Sequence, residues 1–531
     1  MADQAKHIVG GDQKPDAEHL DSTSSTHNVD HDPVVLDDVS YGPTGVRGLF
    51  ISPYVSGAAF LASLGGFSFG YDQGVISIIN VMPQFHAVFP QTETAFGTSF
   101  MTGMLLLGAF IGCIFMPYVA DKISRKWALT LVVVIFNIGA ILQTAAVNYT
   151  MLVVGRTIGG IGVGTLAMGA PLYISEISPP NLRGTLLVLE SISIVSGCVI
   201  SYWITYGTRY MSGEASFRLP LGLQMVGATG LGLGIHFFPY SPRWLALVGK
   251  NTEALASLCK LRCLPETDDR VRSEYQSIVA EVEFQRLMED AKHPGVQGLK
   301  LEILQWLDLF DRKKWRRVAV GCGVCFFQQF SGINAFIYYA PTLFRSIGQS
   351  YEMSLILSGI FNILQLVAVA VCLVIIDKVG RRPLAIVGGF GTAGLGVQSF
   401  RRLGLCRHGL PLHPHLRSLL LAPGLGPSPE VFSTSSRAKG VALATCVNWL
   451  SNFTVGVATP PMLEAIGFGA YVFFAVFCGL AGIWAWLLVP ETMGKTLEQM
   501  DEIFGDTSGQ EEQDIMRRAV RAAEMTHHQH A

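Results

Sequence analysis

The sequence predicts an all-α integral membrane protein that is built from two similar halves. Half of its 531 residues are hydrophobic and only 15% are charged, with a mean hydropathy of +0.39. A soluble domain of this length would carry more charge, so the surplus apolar surface must face lipid. Two polar signatures also occur twice: Asp121–Lys126 recurs as Asp377–Arg382, and Glu176–Arg183 recurs as Glu430–Arg437. Repeats of this kind indicate two related halves.

Long apolar stretches lie between these signatures, and a helix needs about 20 such residues to cross a bilayer. Eleven suitable stretches begin near Tyr54, Gly97, Trp127, Met151, Thr185, Leu219, Val318, Met353, Leu384, Val441 and Gly469. The duplicated plan lacks one span at about residues 410–430. The predicted organisation is a tail (1–50), a first six-helix half (51–238), a linker (239–317), a second half (318–490) and a tail (491–531).

The distribution of Lys and Arg predicts the orientation in the membrane. Loops beside the Asp121 signature are rich in basic residues, whereas the opposite loops carry only Arg209, Arg218 and Arg345. Basic loops stay on the cytoplasmic side, so the charged linker and both tails are predicted to be cytoplasmic. The N-terminal tail is polar and lacks an apolar run, which predicts disorder rather than a cleaved signal peptide.

Several function classes are not favoured. The net charge of −2 gives no signal for nucleic acid, and the 10 cysteines are scattered without a disulfide framework. Cys322 and Cys325 lie inside an apolar stretch, and the glycines of 155–164 lie inside another, which indicates helix packing. We find no catalytic triad, metal-ligand spacing or phosphate loop where a substrate could reach it. The sequence therefore predicts no enzyme, no cofactor and no metal.

Two charges fall inside predicted spans of the first half. Asp72 lies in the first span and Arg156 lies early in the fourth. A carboxylate at membrane depth costs about 2.5–3.5 kcal/mol on insertion scales unless it is paired or protonated, so these two residues are predicted to pair. A buried carboxylate beside an arginine can bind and release protons. Charge placement alone leaves proton coupling and a static ion pair equally open.

The second half carries neutral polar residues instead. They are Gln328, Gln329, Asn334 and Tyr338 in the seventh span, Asn362 in the eighth, and Asn448, Trp449 and Asn452 in the eleventh. Amides with aromatic rings suit an uncharged, polyhydroxylated ligand, because an anion would require a cation and no Lys lies at mid-span. Interhelical hydrogen bonding is the alternative. The three amides of the seventh span cannot share one helical face, so Gly332 is predicted to distort that helix.

Longer motifs resemble a known family. They are Gly70–Ser77, Pro171–Gly184, Gln328–Tyr339 and Pro490–Leu497. With these motifs in this order, the chain from about Tyr54 to Phe504 resembles the sugar porter family of the major facilitator superfamily, in the style of fungal sugar transporters. The resemblance implies the major facilitator fold, with twelve transmembrane helices in two six-helix bundles and a sugar site between them.

The resemblance also implies roles for single residues. Gln328, Gln329, Asn334, Asn362, Asn448 and Trp449 would hold the sugar, with Phe69 closing over it. Asp72 with Arg156 implies sugar/proton symport, because facilitative members tend to carry Asn at the Asp72 position. The repeated charges resemble a cytoplasmic latch that locks the outward-facing state and opens during alternating access: Asp121, Arg125, Glu176, Arg183, Asp377, Arg381, Arg382, Glu430 and Arg437.

The chain departs from the family pattern in two regions. Fungal relatives often carry Gln-Gln in the fifth span, where this chain has Glu190-Ser191, so the choice of sugar is less certain. Residues 395–428 contain Arg, His and Pro that a membrane helix cannot present to lipid, and they lack the Trp of the family's tenth span. Because the length is nearly right, the hypothesis is a local reading-frame or splicing error. A real segment predicts a disrupted ninth-to-tenth region and little transport.

The sequence thus predicts a proton symporter that imports a neutral sugar, a hexose or a pentose, by alternating access. The expected partners are the sugar, protons and the lipid bilayer, without nucleic acid, in a protein that functions as a monomer in the plasma membrane; a vacuolar membrane is the alternative. Other readings are an uncoupled facilitator, a porter for a polyol, disaccharide or quinate-like acid, and an inactive porter. A non-transporting sugar sensor is disfavoured by the short stretch after Phe504.

Overall fold

The computed structural model describes residues 48, 53–311, 314–380, 382–391, 431–433, 435–491, 500, 503–504 and 514–520. The side chains of 372–379 lie outside this description. So do both predicted tails for most of their length, the segment 395–428, Arg381 and Glu430. No strand occurs in the described ranges.

Six long helices form the first half. They are α1 (Pro53–Ile79), α2 (Ala95–Ile123), α3 (Arg125–Thr144), α4 (Tyr149–Ile177), α5 (Arg183–Thr208) and α6 (Ala215–Gly234). Polar side chains begin several of these helices by accepting a hydrogen bond from a free backbone N–H: Thr94 caps α2, Ser124 caps α3 and Asn148 caps α4. Apolar runs therefore start where a polar cap ends the preceding loop, which is why the predicted starts lie close to the observed ones.

Four short helices form the linker: α7 (Pro242–Leu247), α8 (Asn251–Arg262), α9 (Asp269–Lys292) and α10 (Leu299–Leu307). Asp268 caps α9, and its hydrogen bonds with Arg270 lower the pKa of this carboxyl to about 2. The Arg262 guanidinium donates to the Ile177 carbonyl at the C-terminal end of α4, at 2.8 Å. This contact holds the linker against the first half.

The second half contains α11 (Trp315–Phe330), α12 (Ile333–Ser346), α13 (Tyr351–Val379), α14 (Arg437–Ile466) and α15 (Gly469–Leu488). Residues 382–391 are also helical. The seventh span is broken between α11 and α12 at Gly332, where φ is +86°, so the predicted distortion is confirmed. Among the described residues, eight helical segments are long and apolar enough to cross a membrane.

The first half is held together by very close helix contacts at glycine. A Cβ at Gly70 of α1 would overlap the Ile194 carbonyl of α5, and one at Gly160 of α4 would overlap the Leu105 carbonyl of α2. Small residues allow helix backbones to approach in this way. The glycines of 155–164 therefore pack α4 against its neighbours, as the sequence predicted. Outward-facing Phe115, Val226 and Leu233 are exposed, as expected of side chains that face lipid.

The two halves meet near the C-terminal end of α5. The Tyr202 hydroxyl of α5 donates to the Leu355 carbonyl of α13 at 2.7 Å. The Arg209 guanidinium pairs with the Glu352 carboxylate at 2.6 Å, so α5 and α13 are joined there by an ion pair as well. Near the start of α14, Lys439 pairs with Glu302 of α10.

Candidate functional site

A buried ion pair lies at the centre of the first half. Arg156 Nη1 lies 3.2 Å from Asp72 Oδ1, and Nη2 lies 3.1 Å from Oδ2, so the contact is bidentate. Each side chain is only 2% exposed. Arg156 also donates to the Met101 carbonyl and to Gln143 Oε1. Helices α1, α2, α3 and α4 therefore converge on one guanidinium.

This geometry makes the pair sensitive to the charge of Asp72. Two charges buried together offset much of each other's desolvation cost, whereas a lone buried charge is destabilising by about 3–5 kcal/mol. If Asp72 becomes protonated, Arg156 retains its bonds to Met101 and Gln143 but loses its counter-charge.

The corresponding region of the second half is neutral. Gln329 Nε2 donates to Asn448 Oδ1 at 2.7 Å, and Asn334 Nδ2 donates to Gln329 Oε1. Gln329 lies in α11, Asn334 in α12 and Asn448 in α14, so the break at Gly332 brings the first two within bonding distance. The resulting amide chain offers both hydrogen-bond donors and acceptors.

An aromatic contact joins this amide chain to the first half. Phe69 of α1 meets Trp449 of α14 edge to face, with ring centroids 5.0 Å apart. Trp449 follows Asn448 directly in the sequence, and Phe69 lies three residues before Asp72. The two candidate sugar-contacting rings thus lie on helices that also carry the ion pair and the amides.

Tyr338 of α12 connects the two halves directly. Its hydroxyl accepts a hydrogen bond from Gln73 Nε2 of α1 and another from Asn452 Nδ2 of α14, both at 3.1 Å. Asn80 Nδ2 reaches the Tyr338 carbonyl at 3.5 Å. The neighbour of Asp72 is therefore bonded directly to a residue of the second half.

Sequence reasoning placed most of these residues but missed three. Gln73, Asn80 and Gln143 were not assigned to the site, although an amide inside an apolar helix was the signal that could have found them. Of the other predicted sugar contacts, Asn362 of α13 is 2% exposed and Gln328 of α11 is half-buried. The role of these two residues in sugar binding therefore stays a prediction.

The structure brings together only part of the predicted cytoplasmic latch. Arg125 pairs with Asp121 and with Glu176, each at 2.9 Å, and so links α2, α3 and α4. Arg183 is exposed at the start of α5, and Arg437 begins α14. The Arg382 guanidinium donates to the Trp486 carbonyl, and its backbone N–H donates to Glu491 Oε2. Arg381, Glu430 and the Asp377 side chain lie outside the described residues.

Comparison with known proteins identifies the family. A family model described as "Sugar (and other) transporter" matches residues 58–504. The chain belongs to this family. It is 33% identical over 507 residues to the high-affinity glucose transporter of Kluyveromyces lactis, covering 89% of each chain. It is also 31% identical to the high glucose sensor RGT2 of Saccharomyces cerevisiae, over 83% of this chain and 59% of the sensor.

A solved structure shows the same architecture. The proton:xylose symporter XylE bound to 6-bromo-6-deoxy-D-glucose superposes with a TM-score of 0.70 at 26% identity, covering 85% of this chain and 99% of XylE. The protein is therefore a multi-pass membrane transporter of the sugar porter family with the major facilitator fold. These relatives are transporters and a sensor, not enzymes.

Proposed function

We propose that this protein imports a neutral sugar, a hexose or a pentose, by proton symport. The observation that carries the proposal is the buried Asp72–Arg156 pair in the first half. Beside it, Gln73 donates to Tyr338 of the second half, which shares α12 with the amide Asn334. Protons would bind in the first half and sugar between the two. Alternating access would expose the site to each side in turn.

The ion pair supports a proton-binding role for Asp72. A carboxylate at membrane depth is expensive, and such residues commonly mark proton pathways. Asp72 has one cation beside it, Arg156, and that cation has other partners in Met101 and Gln143. Protonation would remove the attraction that holds α1 to α4, so proton binding can change how the helices pack.

The amide chain supports a neutral sugar as the substrate. Gln329, Asn334 and Asn448 supply both donors and acceptors without charge, which matches hydroxyl groups. Phe69 and Trp449 supply apolar faces beside them. The proteins to which the chain is similar transport or sense glucose or carry xylose, so a hexose or a pentose is the substrate class that fits best.

Tyr338 gives the proposed coupling a physical route. Asp72 and Gln73 are consecutive, so a shift of α1 on protonation moves the amide that donates to Tyr338. Tyr338 shares α12 with Asn334, one of the amides proposed to bind sugar. A change at the ion pair would therefore reach the sugar site through one hydrogen bond and one short helix.

The cellular setting follows from the same proposal. The bias of Lys and Arg supports cytoplasmic termini and a cytoplasmic linker, with the two halves at 51–238 and 318–490. The Arg125 cluster and the second-half charges would form the latch of the outward-facing state. The proposed location is the plasma membrane, and the proposed working unit is a monomer.

The test uses the full chain in proteoliposomes with radiolabelled D-glucose and D-xylose. One proton per sugar and one pH unit, acidic outside, supply 1.36 kcal/mol, which corresponds to about tenfold accumulation. We expect this tenfold accumulation of sugar, and we expect a protonophore to abolish it. Equal uptake with and without the gradient would instead indicate a facilitator. Sugar binding without any uptake would favour a sensor, which the similarity to RGT2 makes the second candidate.

A further inference from the structure

A second carboxylate is buried in the first half and is not among the residues proposed above to bind the proton or the sugar. Glu190 lies in α5, about two turns from its cytoplasmic start at Arg183, and is 5% exposed. Its Cγ lies 3.1 Å from the place where a Cβ of Gly66 would stand, so the side chain lies against α1. Within the described ranges, no hydrogen-bond donor or basic side chain contacts its carboxylate.

The packing of α1 against α5 fixes the position of Glu190 relative to Asp72. The two helices run in parallel, because Gly66 lies beside Glu190, Gly70 beside Ile194 and Gly74 beside Cys198. Asp72 is about six residues beyond Gly66 in α1, which corresponds to about 9 Å along the helix axis. Glu190 therefore lies nearer the cytoplasm than Asp72, on the same helix interface.

Among the described side chains of the neighbouring helices, none offers Glu190 a counter-charge. The helices packed on α5 are α1, α4, α6 and α13, and their charged residues are Asp72, Arg156, Glu176, Arg218, Glu352, Asp377 and Lys378. Arg156 is bound by Asp72, and Arg218 pairs with Glu214 near the start of α6. The Asp377 and Lys378 side chains lie outside the described residues.

A lone carboxylate at this depth is tolerated most cheaply as the neutral acid, because an unpaired charge would be buried between two helices. Packing does not require the charge. The neighbouring Ser193 hydroxyl donates to Ser63 Oγ at 3.0 Å, so neutral polar groups already join α1 and α5 at this level. A carboxylate that is unnecessary for packing and lies on the cytoplasmic side of Asp72 is suited to carry a proton.

We propose that Glu190 is a second proton-binding carboxylate, which accepts the proton that Asp72 releases and passes it to the cytoplasm. The inference rests on the proton symport proposed above. The proton leaves the Asp72 carboxylic acid, and the resulting carboxylate pairs with Arg156. Water between the halves carries the proton to a Glu190 carboxylate oxygen, which becomes neutral. When the cytoplasmic side opens, Glu190 gives the proton to water. No other bond forms or breaks.

The geometry of the two carboxylates fits this sequence of steps. Asp72 is engaged by both Nη atoms of Arg156, whereas no basic side chain among the described residues contacts Glu190. The two carboxylates would thus hold the proton alternately. Such series of acidic side chains are a common form of proton pathway in transporters.

The experiment compares the wild-type protein with Glu190→Gln and Glu190→Asp in proteoliposomes. Two readouts are taken: exchange of labelled D-glucose, and acidification of the interior on addition of external D-glucose. Glu190→Gln keeps the shape of the side chain but cannot carry the proton. We expect its exchange to stay within about twofold of wild type, and its sugar-driven acidification to fall at least about tenfold. Glu190→Asp should restore most of the acidification.

The outcomes separate this inference from the proposed symport. If the wild-type protein shows no sugar-driven acidification, symport itself fails, and this inference fails with it. If Glu190→Gln acidifies the proteoliposome interior as strongly as the wild type does, only the role of Glu190 is overturned. The same holds if Glu190→Gln loses sugar exchange to the same extent as acidification. If Glu190→Gln does not fold, the infrared spectrum of Asp72→Asn provides the test. The inference predicts the carbonyl band of a protonated carboxyl in that variant, and the absence of this band would overturn it.

Discussion

The two halves of the molecule handle polarity inside the membrane in different ways. The first half buries a full ion pair, Asp72–Arg156, and surrounds it with hydrogen-bond acceptors. The second half uses the neutral chain Gln329–Asn334–Asn448. A charge is costly in a membrane unless it is paired, whereas an amide needs only a hydrogen-bond partner. This difference supports our proposal that protons bind in the first half and that sugar binds against the second.

The largest effect is expected when the buried carboxylate charge is removed from the first half. Asp72→Asn should abolish accumulation, a loss of about tenfold for each pH unit, because the asparagine cannot bind a proton. Sugar exchange should remain. Sugar accumulation and sugar exchange are both measured in proteoliposomes, and Asp268→Asn in the linker is the matched control. Undiminished accumulation in Asp72→Asn would remove the proton role from this residue.

The link between the halves can be tested at Tyr338. Tyr338→Phe removes the hydroxyl that Gln73 and Asn452 contact, so two buried donors lose their acceptor at a cost of about 1–3 kcal/mol each. We expect a rise of about fivefold or more in sugar uptake that is not accompanied by protons. Tyr471→Phe is the control, because its hydroxyl donates to the Leu343 carbonyl within the second half. Identical coupling ratios in both variants would show that Tyr338 does not connect the two sites.

The neutral half can be weakened without touching charge. Gln329→Ala removes its bonds with Asn334 and Asn448 and one hydrogen bond to the proposed sugar. A neutral hydrogen bond to the sugar of about 0.5–1.5 kcal/mol predicts a KM about 2–12-fold higher for D-glucose. The pH dependence of uptake should not change. Asn137→Ala, an amide that bonds Thr229 in the first half, serves as the control. A changed pH dependence in Gln329→Ala would contradict the division between the halves.

The smallest effect is expected at the contact between Arg209 and Glu352. Glu352→Gln removes the ion pair with Arg209, but Glu352 is 59% exposed, so the pair is worth at most about 1 kcal/mol. The population of the outward-open state, measured by extracellular cysteine accessibility, should rise by no more than about fivefold. The effect should diminish at high salt because the pair is screened. A much larger change would show that this contact dominates closure of the extracellular side.

Much of this arrangement could be predicted from the sequence. The helix starts followed from apolar runs with polar caps, and the pairing of Asp72 with Arg156 followed from the cost of burying either alone. The distortion at Gly332 followed from amides that could not share one face. The contact between Gln73 and Tyr338 could not be predicted, because it depends on which faces of α1 and α12 meet. Gln143 was missed since it lies at the end of a span, where polar residues are common.

The break at Gly332 has a mechanical consequence. A side chain at this position would require an unfavourable left-handed backbone and would collide with the Phe474 ring. A second kink follows at Tyr339, where φ is −127° and ψ is 18°. The short segment between the two kinks carries both Asn334 and Tyr338. We expect a tilt of this segment to close the entrance and to bring Asn334 against the sugar in one movement.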